Sequence, residues 1–273
     1  MLLEFLPGDR RQMLTERLGI DDAEIERWQA ISHKMLVVFH ADGIISQFGG
    51  YEALEEFDWA GYSEKYGDIQ RLDRLLEAEG DTVNRYKVSK QADVLMLFYL
   101  FSAETLSALF ERLGYSFGSE TIPANIDYYR RRTSHGSTLS HVIHSWVSAR
   151  VDREDSWRLF GAALRSDLDD VQGGTTPEGI HLGAMAGMVD ILERGYTGME
   201  LRHNALHFNP ALPSHLTSLK IRIRYRGHSL AVAIDDGFLT VTSSQSVVNP
   251  IMIGCGDEVQ ELRVCESVRF AIN

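Results

Sequence analysis

At 273 residues, 44% of them hydrophobic, the chain is long enough to bury a sizeable core in one or two domains. Its 39 acidic against 27 basic side chains leave a formal net charge of -12, and Lys and Arg form no long stripe, which argues against a nucleic-acid partner. Cys255 and Cys265 lack metal-type spacing and read as reduced thiols of a cytoplasmic protein, residues 1–12 lack a signal-peptide pattern, and the longest apolar run, 94–101, is too short to span a bilayer.

Residues 1–197 read as helical. The first expected helix, 9–18, is closed by Gly19, and Asp21 caps a second in which Ile25, Trp28, Ile31 and Met35 recur at helical spacing. Residues 37–66 break the pattern, with Phe39, Phe48, Tyr51, Phe57, Trp59, Tyr62 and Tyr66 among glycines and carboxylates. A loop this long is usually functional or a lid. Its aromatics suit packing against the helices better than a sugar platform. A short polar helix is expected over 68–79. The next, over 89–101, is apolar on nearly every side from Ala92 onward and belongs in the interior, with Lys90 and Gln91 at its start. Helices over 103–113, 119–131, 139–151, 154–168 and 179–194 follow. The last is rich in Gly183, Ala184, Ala186 and Gly187, small residues that let neighbouring helices approach closely. No 20–50-residue repeat is evident.

The period changes near residue 198. Leu219-Lys220-Ile221-Arg222-Ile223-Arg224-Tyr225-Arg226 alternates strictly, giving a strand with one apolar and one basic face. Strands over 229–234 and 238–243 form a hairpin around Asp235-Asp236-Gly237, and strands over 259–264 and 268–272 end the chain. The row Arg222, Arg224, Arg226 reads as a solvated face, or one packed on acidic helices, rather than an anion site. The expected fold is mainly α over 1–197 with a C-terminal β domain over 198–273.

Three stretches carry candidate chemistry. In Thr133-Ser134-His135-Gly136-Ser137-Thr138-Leu139-Ser140, hydroxyls and a histidine surround a glycine just before an apolar helical run. Ser137 or Thr138 can cap that helix, whose first N–H groups lack intrahelical partners. Those N–H groups also suit an anion, Gly136 bares the backbone to it, and His135 offers a donor or a switchable charge. An ordinary capped helix and a phosphate site both fit these residues. The stretch Asp167-Leu168-Asp169-Asp170 to Thr176-Pro177-Glu178-Gly179-Ile180-His181 reads as a catalytic carboxylate loop, a metal loop or a polar turn, and it lacks the alternating oxygens of a calcium loop. Lys90 and Gln91 offer a cation and a two-sided amide, which suit sugar hydroxyls.

Ser89-Lys90-Gln91-Ala92-Asp93-Val94, His135-Gly136-Ser137-Thr138-Leu139-Ser140, Asp167-Leu168-Asp169-Asp170, Thr176-Pro177-Glu178-Gly179-Ile180-His181 and Leu206-His207-Phe208-Asn209-Pro210 occur in that order. Together they closely resemble the glycoside hydrolase family 65 phosphorylases of trehalose, maltose and kojibiose and their hydrolase relatives. The resemblance implies part of an (α/α)6 barrel followed by a small β-sandwich, and inverting cleavage of an α-glucosidic bond. It implies that Lys90, Gln91 and, more loosely, His181 hold the glucosyl unit. It implies that His135, Gly136, Ser137 and Thr138 bind inorganic phosphate, a co-substrate, with no other cofactor and no metal. A homodimer is implied for the parent enzyme.

The general acid of that family is a glutamate in a Gly-Pro-Asp-Glu-Tyr-type motif, which this sequence does not contain. The expected helices also number about eight, fewer than the twelve of the barrel. The sequence therefore reads as the C-terminal portion of a longer enzyme, inactive alone, since losing a general acid costs roughly 10²–10⁴-fold. In a hydrolase, Asp169 or Glu178 would serve as the base. A non-catalytic carbohydrate-binding fragment is the third reading.

Overall fold

The computed structural model describes residues 6–170, 177, 179–202, 204–244 and 247–272. Among these, α-helices run over Gly8–Leu18 (α1), Asp22–Ser32 (α2), Trp59–Tyr66 (α3), Leu72–Ala78 (α4) and Met96–Leu100 (α5). Ala103–Leu113 (α6), Thr121–Arg130 (α7), Thr138–Ser148 (α8), Arg153–Arg165 (α9) and Leu182–Asp190 (α10) follow, and α10 runs into a π-helical turn, Ile191–Tyr196. Local chemistry sets several ends. Asp21 accepts a hydrogen bond from the Glu24 N–H at 2.7 Å to start α2, and Gly19 closes α1 in the left-handed region. Ser102 and Asp152 cap α6 and α9 in the same way as Asp21.

α8 and α9 are joined by a tight turn and run antiparallel. Buried Ser145 and Ser156 lock them together: each hydroxyl donates to the other residue's carbonyl, at 2.8 and 2.7 Å. α10 then returns parallel to α8, because Gly183 faces Leu139 and Gly187 faces Val142. A Cβ at 187 would overlap the Val142 side chain, so the small residues of α10 permit this approach. The amino ends of α8 and α10 therefore lie at the same end of the helical layer.

The strands are Glu200–Arg202 (β1), Ala205–Phe208 (β2), Ser218–Tyr225 (β3), His228–Asp235 (β4), Phe238–Ser243 (β5), Ile251–Cys255 (β6), Glu258–Leu262 (β7) and Ser267–Ala271 (β8). They form two four-stranded sheets, ordered β1-β2-β6-β7 and β3-β4-β5-β8. Leu206, Phe208, Ile251, Ile253 and Leu262 of one sheet share a core with Leu230, Val232, Ile234, Leu239, Val241 and Phe270 of the other, which makes a sandwich. Two-residue turns at Arg226-Gly227 (φ 48 and 84°) and Asp236-Gly237 (φ 46 and 76°) carry the positive φ pair that tight hairpins need. Arg222 and Arg224 stand on the exposed face of β3, as a solvated row. The helical part and the sandwich meet where Leu212, Leu216 and Leu219 pack on Val142, Ala149, Phe160 and Tyr196. The Asn209 and Ala211 N–H groups donate to the Thr197 and Tyr196 carbonyls, at 3.0 and 2.8 Å, across that junction.

Three expectations change. Residues 89–101 are helical only over α5. Ser89 instead pairs in extended form with 132–134: its N–H donates to Arg132 O at 2.7 Å and its carbonyl accepts from Ser134 N at 2.9 Å. The second bond takes up the carbonyl that a helix beginning at Ser89 would use. Residues 37–66 are not one loop, since a 3-10 turn at Tyr51–Ala53 and α3 interrupt them. β1, β2 and β6 are short strands beyond those expected from alternation.

The 37–66 segment is pinned from α7. Asn125, fully buried, accepts the Ile45 N–H at 2.9 Å and donates to Thr121 O at 2.7 Å, while the Tyr129 hydroxyl donates to Ile45 O at 2.5 Å. Replacing Asn125 by Ala strands the Ile45 N–H out of water. That substitution should lower stability by roughly 1–3 kcal/mol in chemical denaturation, and an unchanged midpoint would refute the anchoring role.

Candidate functional site

The 133–140 loop and the Lys90 segment come together because of one missing atom group. A Cβ at position 136 would lie 2.5 Å from the Gln70 carbonyl oxygen and 3.1 Å from Cγ of Lys90. Gly136 thus lets the Lys90 stem lie directly on the backbone of the loop. The Ser89 pairing with 132–134 aligns the same two strands of chain. Lys90 is exposed and forms no ion pair among the described residues; after Arg71, its charge helps hold the Asp73 carboxyl below its ordinary range. A cavity of about 170 Å³ opens beside this junction, with Phe48, Tyr51, Asp73, Ser89, Lys90 and Ser134 on its wall. Tyr51 is a buried core residue, whereas Phe48 is half exposed at the cavity. Gln91 is exposed and its amide donates to Asp93 at 3.3 Å.

At the start of α8 the expected side-chain cap is not formed. Ser137 occupies the cap position in extended backbone (φ -139°, ψ 137°), yet its hydroxyl accepts no hydrogen bond from the helix. The hydroxyls of Ser137 and Thr138 make no hydrogen bond among the described residues, and the first turn of α8 keeps unclaimed N–H donors at its positive end. The Ser137 backbone is in the region that caps adopt, so it is the side chain that does not turn back to the helix; just before it, His135 lies in the left-handed region (φ 56°) and turns the chain into Gly136.

Three histidines stack beneath this turn. The His135 ring lies face to face with His141 at 4.6 Å and meets His144 edge-on at 4.8 Å. Its Nδ1 is 2.9 Å from the hydroxyl of Ser140, which is fully buried. Burial, then the neighbouring imidazoles of His144 and His141, pushes His135 down to about 2. Burial likewise pushes His141 and His144 each down to about 4. His135 is therefore a neutral ring near pH 7, a donor or acceptor and not a switchable charge.

His181 stands at the head of α10, beside the start of α8. Its backbone N–H and ring Nδ1 both engage Asp167, at 3.0 and 2.5 Å. That hydrogen bond holds the Asp167 carboxyl below its ordinary range. His181 thus closes a brace with Asp167 and, among the described residues, makes no hydrogen bond or ion pair with Lys90 or the 133–138 loop. Asp169 is paired with Arg165 at 3.3 Å on the surface. Glu178 and Thr176 lie outside the described residues.

Residues 5–190 match the glycosyl hydrolase family 65 central catalytic domain, and residues 199–262 match the C-terminal domain of the same family. The chain belongs to glycosyl hydrolase family 65. It is 50% identical to an uncharacterized glycosyl hydrolase of Mycobacterium tuberculosis, over 96% of this chain and 20% of that protein. It is 35% identical to the trehalose 6-phosphate phosphorylase of Lactococcus lactis, over 86% of this chain and 30% of that enzyme. In fold it is similar to a solved chain from human microbiome assigned as a kojibiose phosphorylase, with a TM-score of 0.73 at 23% identity, over 96% of this chain and 34% of that one. The chain thus spans about a third or less of the lengths of these family 65 relatives. The likeness agrees with a helical part followed by a sheet domain, and no described helix is long and apolar enough to cross a membrane.

His141 and His144 escaped the sequence reading. Their three-residue spacing puts both on one face of the helix after the loop, which was the available signal. Two outcomes are expected of the chain itself. Gly136→Ala forces the Gln70 carbonyl or Lys90 to move and should cost roughly 1–3 kcal/mol in chemical denaturation; a neutral effect would mean the loop tolerates a side chain there. The three histidines titrate near pH 6.5 when unfolded. Below that pH the unfolded chain binds more protons than the folded one, so the stability present above pH 6.5 is lost as pH falls toward 4. Thermal melts should show this decline between pH 6.5 and 5, and His144→Phe should flatten it. A variant slope equal to that of the parent chain would remove His144 from the account.

Proposed function

We propose that the protein of which this chain forms part cleaves an α-linked glucose disaccharide with inorganic phosphate, inverting the anomeric carbon to give β-glucose 1-phosphate and glucose. The observation that carries this reading is the contact of Gly136 with Lys90, which joins a glycine loop at a helix start to the Lys90-Gln91 pair. Phosphate is anionic and nucleophilic at neutral pH, so phosphorolysis needs no carboxylate to activate water. It needs a socket of N–H, hydroxyl and cationic donors. The uncapped first turn of α8, the hydroxyls of Ser137 and Thr138, His135 and the Lys90 ammonium supply those groups. Lys90 and Gln91 hold the glucosyl unit, and His181 shapes the site through its brace to Asp167.

The proton for the leaving oxygen comes from a glutamate in the portion that the longer relatives possess beyond the stretch matched here. In an inverting hydrolase a carboxylate base stands roughly 6.5–9.5 Å from the acid. Asp169 and Glu178 are the candidates for that base, and Asp169 pairs with Arg165 on the surface at 3.3 Å.

A second reading concerns the substrate. Identity to the trehalose 6-phosphate phosphorylase is 35%, against 28% for a kojibiose phosphorylase of Caldanaerobacter subterraneus and 28% for an α,α-trehalose phosphorylase of Thermoanaerobacter brockii. A phosphorylated disaccharide is therefore the first substrate to assay beside trehalose, kojibiose and maltose.

Full-length enzyme should release glucose 1-phosphate in a phosphate-dependent reaction. Ser137→Ala should raise KM for phosphate roughly 10-fold or more, the loss of one hydrogen bond to a charged ligand, with KM for the disaccharide little changed. Release of free glucose alone, independent of phosphate, would establish the hydrolase instead. Binding without turnover by the full-length protein would establish the carbohydrate-binding reading.

A further inference from the structure

The three-histidine stack raises a question of protons. Ser140 is fully buried and its hydroxyl makes one hydrogen bond among the described residues, to Nδ1 of His135 at 2.9 Å. One of the two groups must donate. Were Nδ1 protonated, it would donate to the Ser140 oxygen, and the serine hydrogen would then need another acceptor. The structure offers none at hydrogen-bond distance among the described residues, and burial denies it water. With the serine hydrogen pointing at a bare Nδ1, both groups are satisfied. The ring proton then resides on Nε2.

Ring orientation is fixed by the same surroundings. A flipped His135 ring would set a carbon against the Ser140 hydroxyl and lose that bond. The face of His141 and the edge of His144 hold the ring plane. Nε2 of His135 makes no hydrogen bond among the described residues. Unlike His141 Nδ1 and both ring nitrogens of His144, it is not sealed from solvent.

We propose that Ser140 is a positioning residue that keeps the proton of His135 on Nε2, so that the ring presents an N–H donor to an anion at the 135–138 turn. The proposal deepens the phosphate reading and rests on it for the identity of the anion. Which ring nitrogen carries the proton follows from Ser140 alone. Ser140 touches no ligand in this scheme and acts through the imidazole. The depressed proton affinity of the buried ring keeps this donor neutral, so its strength stays constant across the pH range in which phosphate changes from singly to doubly charged.

Two-bond nitrogen–proton NMR correlation spectra of the chain, labelled with ¹⁵N-histidine, test the assignment between pH 5 and 7 without any turnover. The expected result is a single neutral form of His135 with the proton on Nε2. In Ser140→Ala, still folded by circular dichroism, the two neutral forms should exchange. A proton on Nδ1, a fast mixture in the parent chain, or an unaltered single form in the variant overturns the proposal. Where the variant fails to fold, the parent spectrum decides alone. Titration with inorganic phosphate then separates the two ideas. Movement of the His135 Nε2 signal, with an apparent dissociation constant weaker in Ser140→Ala by the inverse of its remaining Nε2–H fraction, about 2-fold for equal forms, supports both. A single Nε2–H form that phosphate leaves unmoved refutes the phosphate socket and leaves the Ser140 assignment standing.

Discussion

The close approach of the Gly136 backbone to Lys90 and the Gln70 carbonyl is the constraint on which the rest of the site depends. It brings together two stretches that are more than forty residues apart in the chain. The extended pairing of Ser89 with 132–134 supplies the alignment, and the absence of a side chain at 136 supplies the room. Everything proposed about the site follows from that junction. Lys90 reaches the loop, α8 begins there with open N–H donors, and α10, running parallel through the Gly187–Val142 contact, places a second helix start at the same end.

The scaffold explains why this end is well defined. α8 is clamped to α9 by the reciprocal Ser145–Ser156 bonds and to the sandwich by the cluster around Tyr196, Leu212 and Leu219. The 37–66 segment, which contributes the Phe48 and Tyr51 wall, is tied to α7 through Asn125 and Tyr129. The Asn209 and Ala211 bonds to Thr197 and Tyr196 add a second tie between the sandwich and the end of the π-helical turn. The β domain is in this sense a buttress of the helix that carries the loop.

Legibility in the sequence followed the range of the forces involved. Helices fixed by local caps, such as α2 under Asp21 and α6 between Ser102 and Gly114, and the Asp236-Gly237 hairpin, were readable because neighbouring residues determine them. The stretch 89–95 was not. It is apolar on nearly every side from Ala92 onward, but the pairing of Ser89 with 132–134 holds its first residue extended, and the regular helix begins only at Met96. β6 was hidden because Gly254 interrupts it to make room for the His207 ring on the neighbouring strand. In the site, the loop and the Lys90-Gln91 pair were visible as motifs, while the histidine stack was not. His141 and His144 resemble ordinary interior residues until the turn at His135 folds a third ring onto them.

That turn has an energetic corollary. A residue bearing a Cβ in the left-handed region is held roughly 1–2 kcal/mol above its relaxed backbone. The stacked rings of His141 and His144 and the Ser140 bond hold His135 in this conformation. For the anion proposed at this turn, a ring and backbone set by the chain's own contacts lower the ordering cost of binding.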